Sequence, residues 1–143
     1  MIIKKKEIEN TSLYEDDNVS KISIIIDYQI KSFSELFYDC KGIESIKFKK
    51  FYRNSVTNMS DMFYRCSSLK ELNLNNFNTN NITDMSDMKS CCLSLKEINL
   101  NKFNTNNVIN MRYMFSKFSD ELKFKLKSKF NKFKEEAFED YEN

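Results

Sequence analysis

From residue 33 to residue 118 the chain repeats with an unbroken period of 26, and this register constrains the fold more tightly than the composition does. Phe33, Met59, Met85 and Met111 share one position of the repeat, and Leu36, Met62, Met88 and Met114 share another. The same shift carries Cys40 onto Cys66 and Cys92, Ile43 onto Leu69 and Leu95, and Ile46 onto Leu72 and Ile98. It also aligns Phe48 with Leu74 and Leu100, Phe51 with Phe77 and Phe103, and Val56 with Ile82 and Val108. A unit this short cannot bury its apolar face alone. Stacking on the next unit does so, which makes the expected architecture a solenoid.

Each unit divides into recognisable pieces. Around Leu72 and Leu74 apolar and polar residues alternate, the pattern of a short strand with one buried face, and its counterparts run through residues 43–51 and 95–103. A polar turn follows, Asn78-Thr79-Asn80-Asn81, repeated at Asn104-Thr105-Asn106-Asn107. Next, Met59, Met62, Phe63 and Cys66 recur at i, i+3, i+4 and i+7, which predicts a helix of two or three turns with Asn58, Asp84 and Asn110 as N-caps. The expected fold is therefore an α/β repeat of 26-residue strand, turn and short-helix units with parallel strands. Lys89 interrupts the pattern, standing where Phe63 stands one unit earlier.

The ends depart from the register. Residues 1–31 contain alternating isoleucines at Ile22, Ile24 and Ile26, which predict a strand that pairs with the first unit and caps the sheet edge. Residues 32–118 hold three full units and a partial one. Past Phe118 the stripe Leu122, Leu126, Phe130, Phe133, Ala137 predicts one capping helix over 119–143 with Ser119 as N-cap, its lysines placed early and its acids late, against the helix dipole.

Composition removes whole function classes. A net charge of +2, from 23 basic and 21 acidic residues, is too balanced for a general nucleic-acid binder. The longest apolar stretch, near Ile22–Ile26, is far below the roughly 20 residues of a membrane span, and no apolar leader follows Lys4–Lys6, so an intracellular chain is expected over a surface or secreted one. The lysines from Lys123 to Lys134 read as a solvated face, with a membrane-surface helix as the rival. Without histidine, and with no nucleophile, base and orienting group at a motif spacing, catalysis has no sequence support and no cofactor is implied. Cys40, Cys66 and Cys92 share a column, but a spacing of 26 lacks the close pairs of zinc sites; buried thiols are expected, with Cys91 accessible.

The run from Val56 to Phe77, Met-x-x-Met-Phe-x-x-Cys-x-x-Leu-x-x-Leu-x-Leu-x-x-Phe followed by Asn78-Thr79, resembles the repeat of the BspA-like leucine-rich repeat surface proteins, a group also described as a mycoplasma-type lipoprotein repeat domain. The resemblance implies a leucine-rich-repeat solenoid used in adhesion or protein recognition, without catalysis. In such a unit the strand residues pointing away from the core line a concave face. Here they are Ser45, Lys47, Lys49 and Lys50; Glu71, Asn73, Asn75 and Asn76; and Glu97, Asn99, Asn101 and Lys102. Stacked, they predict an acidic column, an asparagine centre and a lysine flank, suited to a polar protein partner; ordinary solvated strands and a purely structural repeat are the alternatives.

Overall fold

The computed structural model describes residues 2–3, 24–25, 30–47, 55–75, 78–130 and 132–141. β1 (Ile2–Ile3) pairs antiparallel with β2 (Ile24–Ile25). Three further strands, β3 (Ser45–Lys47), β4 (Glu71–Asn73) and β5 (Glu97–Asn99), form a parallel sheet in chain order. Its register aligns Ile46 with Leu72 and Leu72 with Ile98, so each strand neighbours its equivalent 26 residues on. Ser32, Asn58, Asp84 and Asn110 form parallel bridges at the same offset. The expected strand near Ile22–Ile26 is present at Ile24–Ile25, but its partner is β1 rather than the first unit.

The core follows the apolar columns. Met59, Met62, Phe63, Cys66, Leu69, Leu74, Ile82, Met85, Met88, Leu100, Met114 and Phe115 are buried without solvent exposure. The first unit is looser, with Leu36, Phe37, Cys40, Ile43 and Ile46 half-buried against the others. Phe37 and Phe63 stack with centroids 5.6 Å apart, and the next members of that column are Lys89 and Phe115.

The predicted short helices are replaced by ladders of turns. In 33–40, 59–66, 85–92 and 111–118 amides alternate between bonds within the segment, as from Tyr64 N–H to Asp61 O, and bonds that point outward, which in the first three segments cross to the next unit. Met59, Asp61, Phe63 and Arg65 donate to the carbonyls of Asp84, Ser86, Met88 and Ser90 at 2.8–3.0 Å. A helix would use these amides internally and leave this side of the units joined by side chains alone. Freeing them requires left-handed backbone at two residues per segment: Glu35 and Asp39, Asp61 and Arg65, Asp87 and Cys91, Tyr113 and Lys117, with φ between 54° and 63°. Each such residue costs roughly 1–2 kcal/mol, which the inter-unit hydrogen bonds and complete burial of the methionines offset. Asn58, Asp84 and Asn110 do act as side-chain acceptors, but in turns: their Oδ1 atoms receive the amides of Ser60, Ser86 and Arg112 two residues on.

The C-terminal segment finishes this ladder. α1 (Asp120–Lys129) starts at Ser119, whose hydroxyl accepts the Leu122 amide, and stops at Phe130, earlier than the sequence stripe suggests. Its first turn carries Asp120 and Glu121 and its last Lys127 and Lys129, so its charges suit the dipole; the late acids lie beyond it. Phe133, Ala137 and Phe138 are buried from a separate segment that includes a 3-10 turn, Glu135–Phe138. There, Tyr113 and Phe115 donate to the carbonyls of Glu136 and Ala137, while the amides of Met111 and Lys117 reach the carboxylates of Glu136 and Asp140 at 3.4 and 2.5 Å. All four outward amides of the last ladder thus have acceptors. Lys132 completes the strand side by donating to the carbonyls of Leu100, at 3.1 Å, and Phe103.

Candidate functional site

Leu72 turns into the core and its neighbours Glu71 and Asn73 are exposed, because successive strand residues point to opposite faces. Pairing in register then builds two columns on the outer face, Ser45, Glu71, Glu97 and Asn73, Asn99, and the backbone of Lys47 pairs with that of Asn73. Ser45, Glu71, Asn73 and Glu97 are exposed and Asn99 is half-buried. These are the columns expected from the sequence. Asn101 and Lys102 are exposed just past β5, and Asn75 is half-buried past β4. Lys49, Lys50 and Asn76 lie outside the described residues.

The asparagines are not free on both sides. Asn73 Oδ1 accepts the Asn75 amide at 3.0 Å, and Asn99 Oδ1 accepts the Asn101 amide at 3.2 Å, each closing the turn after its strand. The carbonyl half of each side chain is spent on the fold, so the face offers Nδ2 donors beside the Glu71 and Glu97 acceptors. An ion pair between Lys70 and Glu44, at 2.7 Å, crosses units at the sheet's entry side. On the β5 side, the Lys125 ammonium is held above its ordinary value by the hydrogen bond and charge of Glu121, with Glu97 adding to the effect. Lys125 of α1 is thus within electrostatic reach of Glu97, with its charge paired to Glu121 at 2.6 Å.

The opposite side carries a second set of carboxylates. Burial raises the carboxyl of Asp87 to about 6, with Asp61 and Asp84 pushing in the same direction, and burial followed by Glu35 and Asp84 raises Asp61. The sequence pattern does not single these out, although their spacing of 26 makes a column of Glu35, Asp61 and Asp87 inevitable once units stack. Among the described residues no group of three or more His, Cys, Asp or Glu is placed to hold a metal ion.

The thiols have a structural role. Cys66 and Cys92 are buried, with free thiols that donate at 3.0 Å to the carbonyls of Phe37 and Phe63 in the preceding unit. Burial pushes both up to about 12, so neither is a thiolate at neutral pH. Cys40 is only half-buried, as is Cys91. No helix among the described residues is long and apolar enough to cross a membrane.

Compared with known proteins, residues 31–142 match the family described as Mycoplasma protein of unknown function, DUF285. No curated protein and no solved structure matches the chain.

Proposed function

The chain belongs to this DUF285 family of Mycoplasma proteins of unknown function, and from that premise we propose that it is a short BspA-like leucine-rich-repeat solenoid serving as a non-enzymatic module for protein recognition or adhesion. The observation that carries this reading is the pair of in-register columns on the outer sheet face, one of Glu71 and Glu97 and beside it one with the amide donors of Asn73 and Asn99. A partner segment that presents backbone carbonyls to the asparagines and a cationic side chain to the glutamates suits this face. Three strands about 4.8 Å apart, each of three residues and so some 10 Å long, give only about 150 Å². A standard interface takes about 800 Å² from each partner, so a tight complex has to include the Asn-rich turns or α1 as well.

The test is affinity capture by the intact chain beside a variant carrying Lys47→Glu, Glu71→Lys, Asn73→Asp and Asn99→Asp. The aspartates keep the Oδ1 acceptors that close the turns and change only the outward donor, so the fold is preserved and can be checked by circular dichroism. A protein held by the native chain and lost by the variant supports a recognition surface on this face. Identical capture by both removes the surface and leaves a purely structural repeat as the better reading.

A further inference from the structure

Lys89 is the anomaly of the core. It occupies the column filled by Phe37, Phe63 and Phe115, it is fully buried, and its Nζ has no hydrogen-bond partner among the described residues. Aromatic rings stand on two sides, with the Nζ 5.5 Å from the centroid of Phe103 and 6.0 Å from that of Phe115. Among the described residues the titratable group whose field reaches it is the Cys92 thiol, and that thiol stays protonated in the folded chain, so it supplies no counter-charge. Ring faces return only part of the hydration an ammonium loses on burial. The neutral amine, by contrast, fits as a flexible apolar stem with a small polar tip.

We infer that Lys89 is a proton-operated release point in the stack: its segment closes on the next unit around the neutral amine and opens when that amine takes up a proton. The contacts at stake are local. The amides of Lys89 and Cys91 donate to the carbonyls of Met114 and Ser116 at 3.3 and 3.2 Å, and these bonds tie residues 85–92 to residues 111–118. A protonated Lys89 has a side chain long enough to carry its charge to water only if this rung parts, which would free the final ladder and the C-terminal segment packed on it.

The sign follows from linkage. Burial drives the Lys89 amine well below its ordinary value, whereas in an open or unfolded chain it titrates near the usual value of about 10.4. Between those two values the open state binds a proton that the closed state refuses, so each unit of falling pH favours opening by about tenfold. Closure is strongest in alkali and weakens toward neutral pH.

The experiment compares wild type with Lys89→Met, which keeps the stem without the titrating group, and with Lys89→Phe, the residue of the same column in neighbouring units. Hydrogen exchange at the amides of residues 89 and 91, read as protection relative to each variant from pH 9 to pH 6, should show wild-type protection falling up to about tenfold per pH unit. Parallel profiles in wild type and either folded variant overturn the inference. Carbon-13 labelling of the lysine Cε atoms gives an independent reading on wild type alone: one lysine should stay neutral at pH values where the others are charged, and the inference fails if every lysine titrates near about 10.4.

Discussion

Replacing Lys117 distinguishes a ladder of turns from a row of short helices by the order of stabilities alone. Its side chain is exposed and its backbone is left-handed, with φ 60°. Glycine removes a strain of roughly 1–2 kcal/mol there and adds roughly 0.5–1 kcal/mol of unfolded-state entropy, so Lys117→Gly should be neutral or stabilising by up to about 1.5 kcal/mol. Valine, branched at Cβ, fits this conformation worse than lysine, and Lys117→Val should cost at least about 1 kcal/mol. The expected order is Gly at or above Lys, with Val last. A helical position reverses it, since glycine costs about 1 kcal/mol in a helix and valine less. Thermal unfolding followed by circular dichroism resolves this, because about 2 kcal/mol between the variants corresponds to roughly 6–10 °C in a domain of this size. A Gly variant less stable than the Val variant would refute the turn ladder at this site.

Other consequences follow from the same contacts. Asp87 has a folded value of about 6, above the usual carboxylate value of about 3.9, so folding takes up a proton there and its contribution is complete below about pH 3.9 and lost as pH rises through about 6. Asp87→Asn should therefore gain stability at pH 7 but not at pH 4, by roughly 1 kcal/mol at most because the side chain is partly solvated; equal gains at both pH values would contradict the assignment. Alkylation of the native chain with iodoacetamide, mapped by peptide mass spectrometry, should modify Cys91 while sparing Cys66 and Cys92, whose thiols are buried and pushed up to about 12. At the C-terminal end, burial raises the Asp140 carboxyl, but the Lys117 amide, the Lys123 ammonium and the Ser116 hydroxyl outweigh it and hold it below the usual range. The stability that Asp140 contributes is thus present at neutral pH and lost as pH falls through that lowered value, and Asp140→Ala should remove it and speed exchange at the Lys117 amide.

The register and the strand positions were legible because they rest on burial, which acts at long range and repeats with the unit. Ile46, Leu72 and Ile98 have to share a side whatever the local backbone does. The outer columns followed directly from the alternation of strand side chains. The turn ladders were not legible, since Met59, Met62, Phe63 and Cys66 show the spacing of a helical stripe, and turns that repeat every four residues bury the same positions. Nor do the left-handed positions use glycine: Arg65, Cys91, Tyr113 and Lys117 have no preference for that conformation, and cross-unit hydrogen bonds impose it. The end of α1 was hidden for a similar reason. Phe133 and Ala137 continue the apolar stripe of Leu122 and Leu126, yet they are buried by a segment whose backbone must accept the amides of Tyr113 and Phe115. Asn73 and Asn99 could have been recognised as turn-closing acceptors from the Asn-x-Asn spacing with Asn75 and Asn101.

Stacking of equivalent segments through their own amides is the claim on which the rest depends, and through-hydrogen-bond scalar couplings between amide nitrogens and carbonyl carbons in NMR test it most directly. Couplings from Met59, Asp61, Phe63 and Arg65 should connect to the carbonyls of Asp84, Ser86, Met88 and Ser90, an offset of 25 residues forward. Couplings from those same amides to carbonyls four residues back would mean helices, and the ladder that joins one unit to the next would not exist.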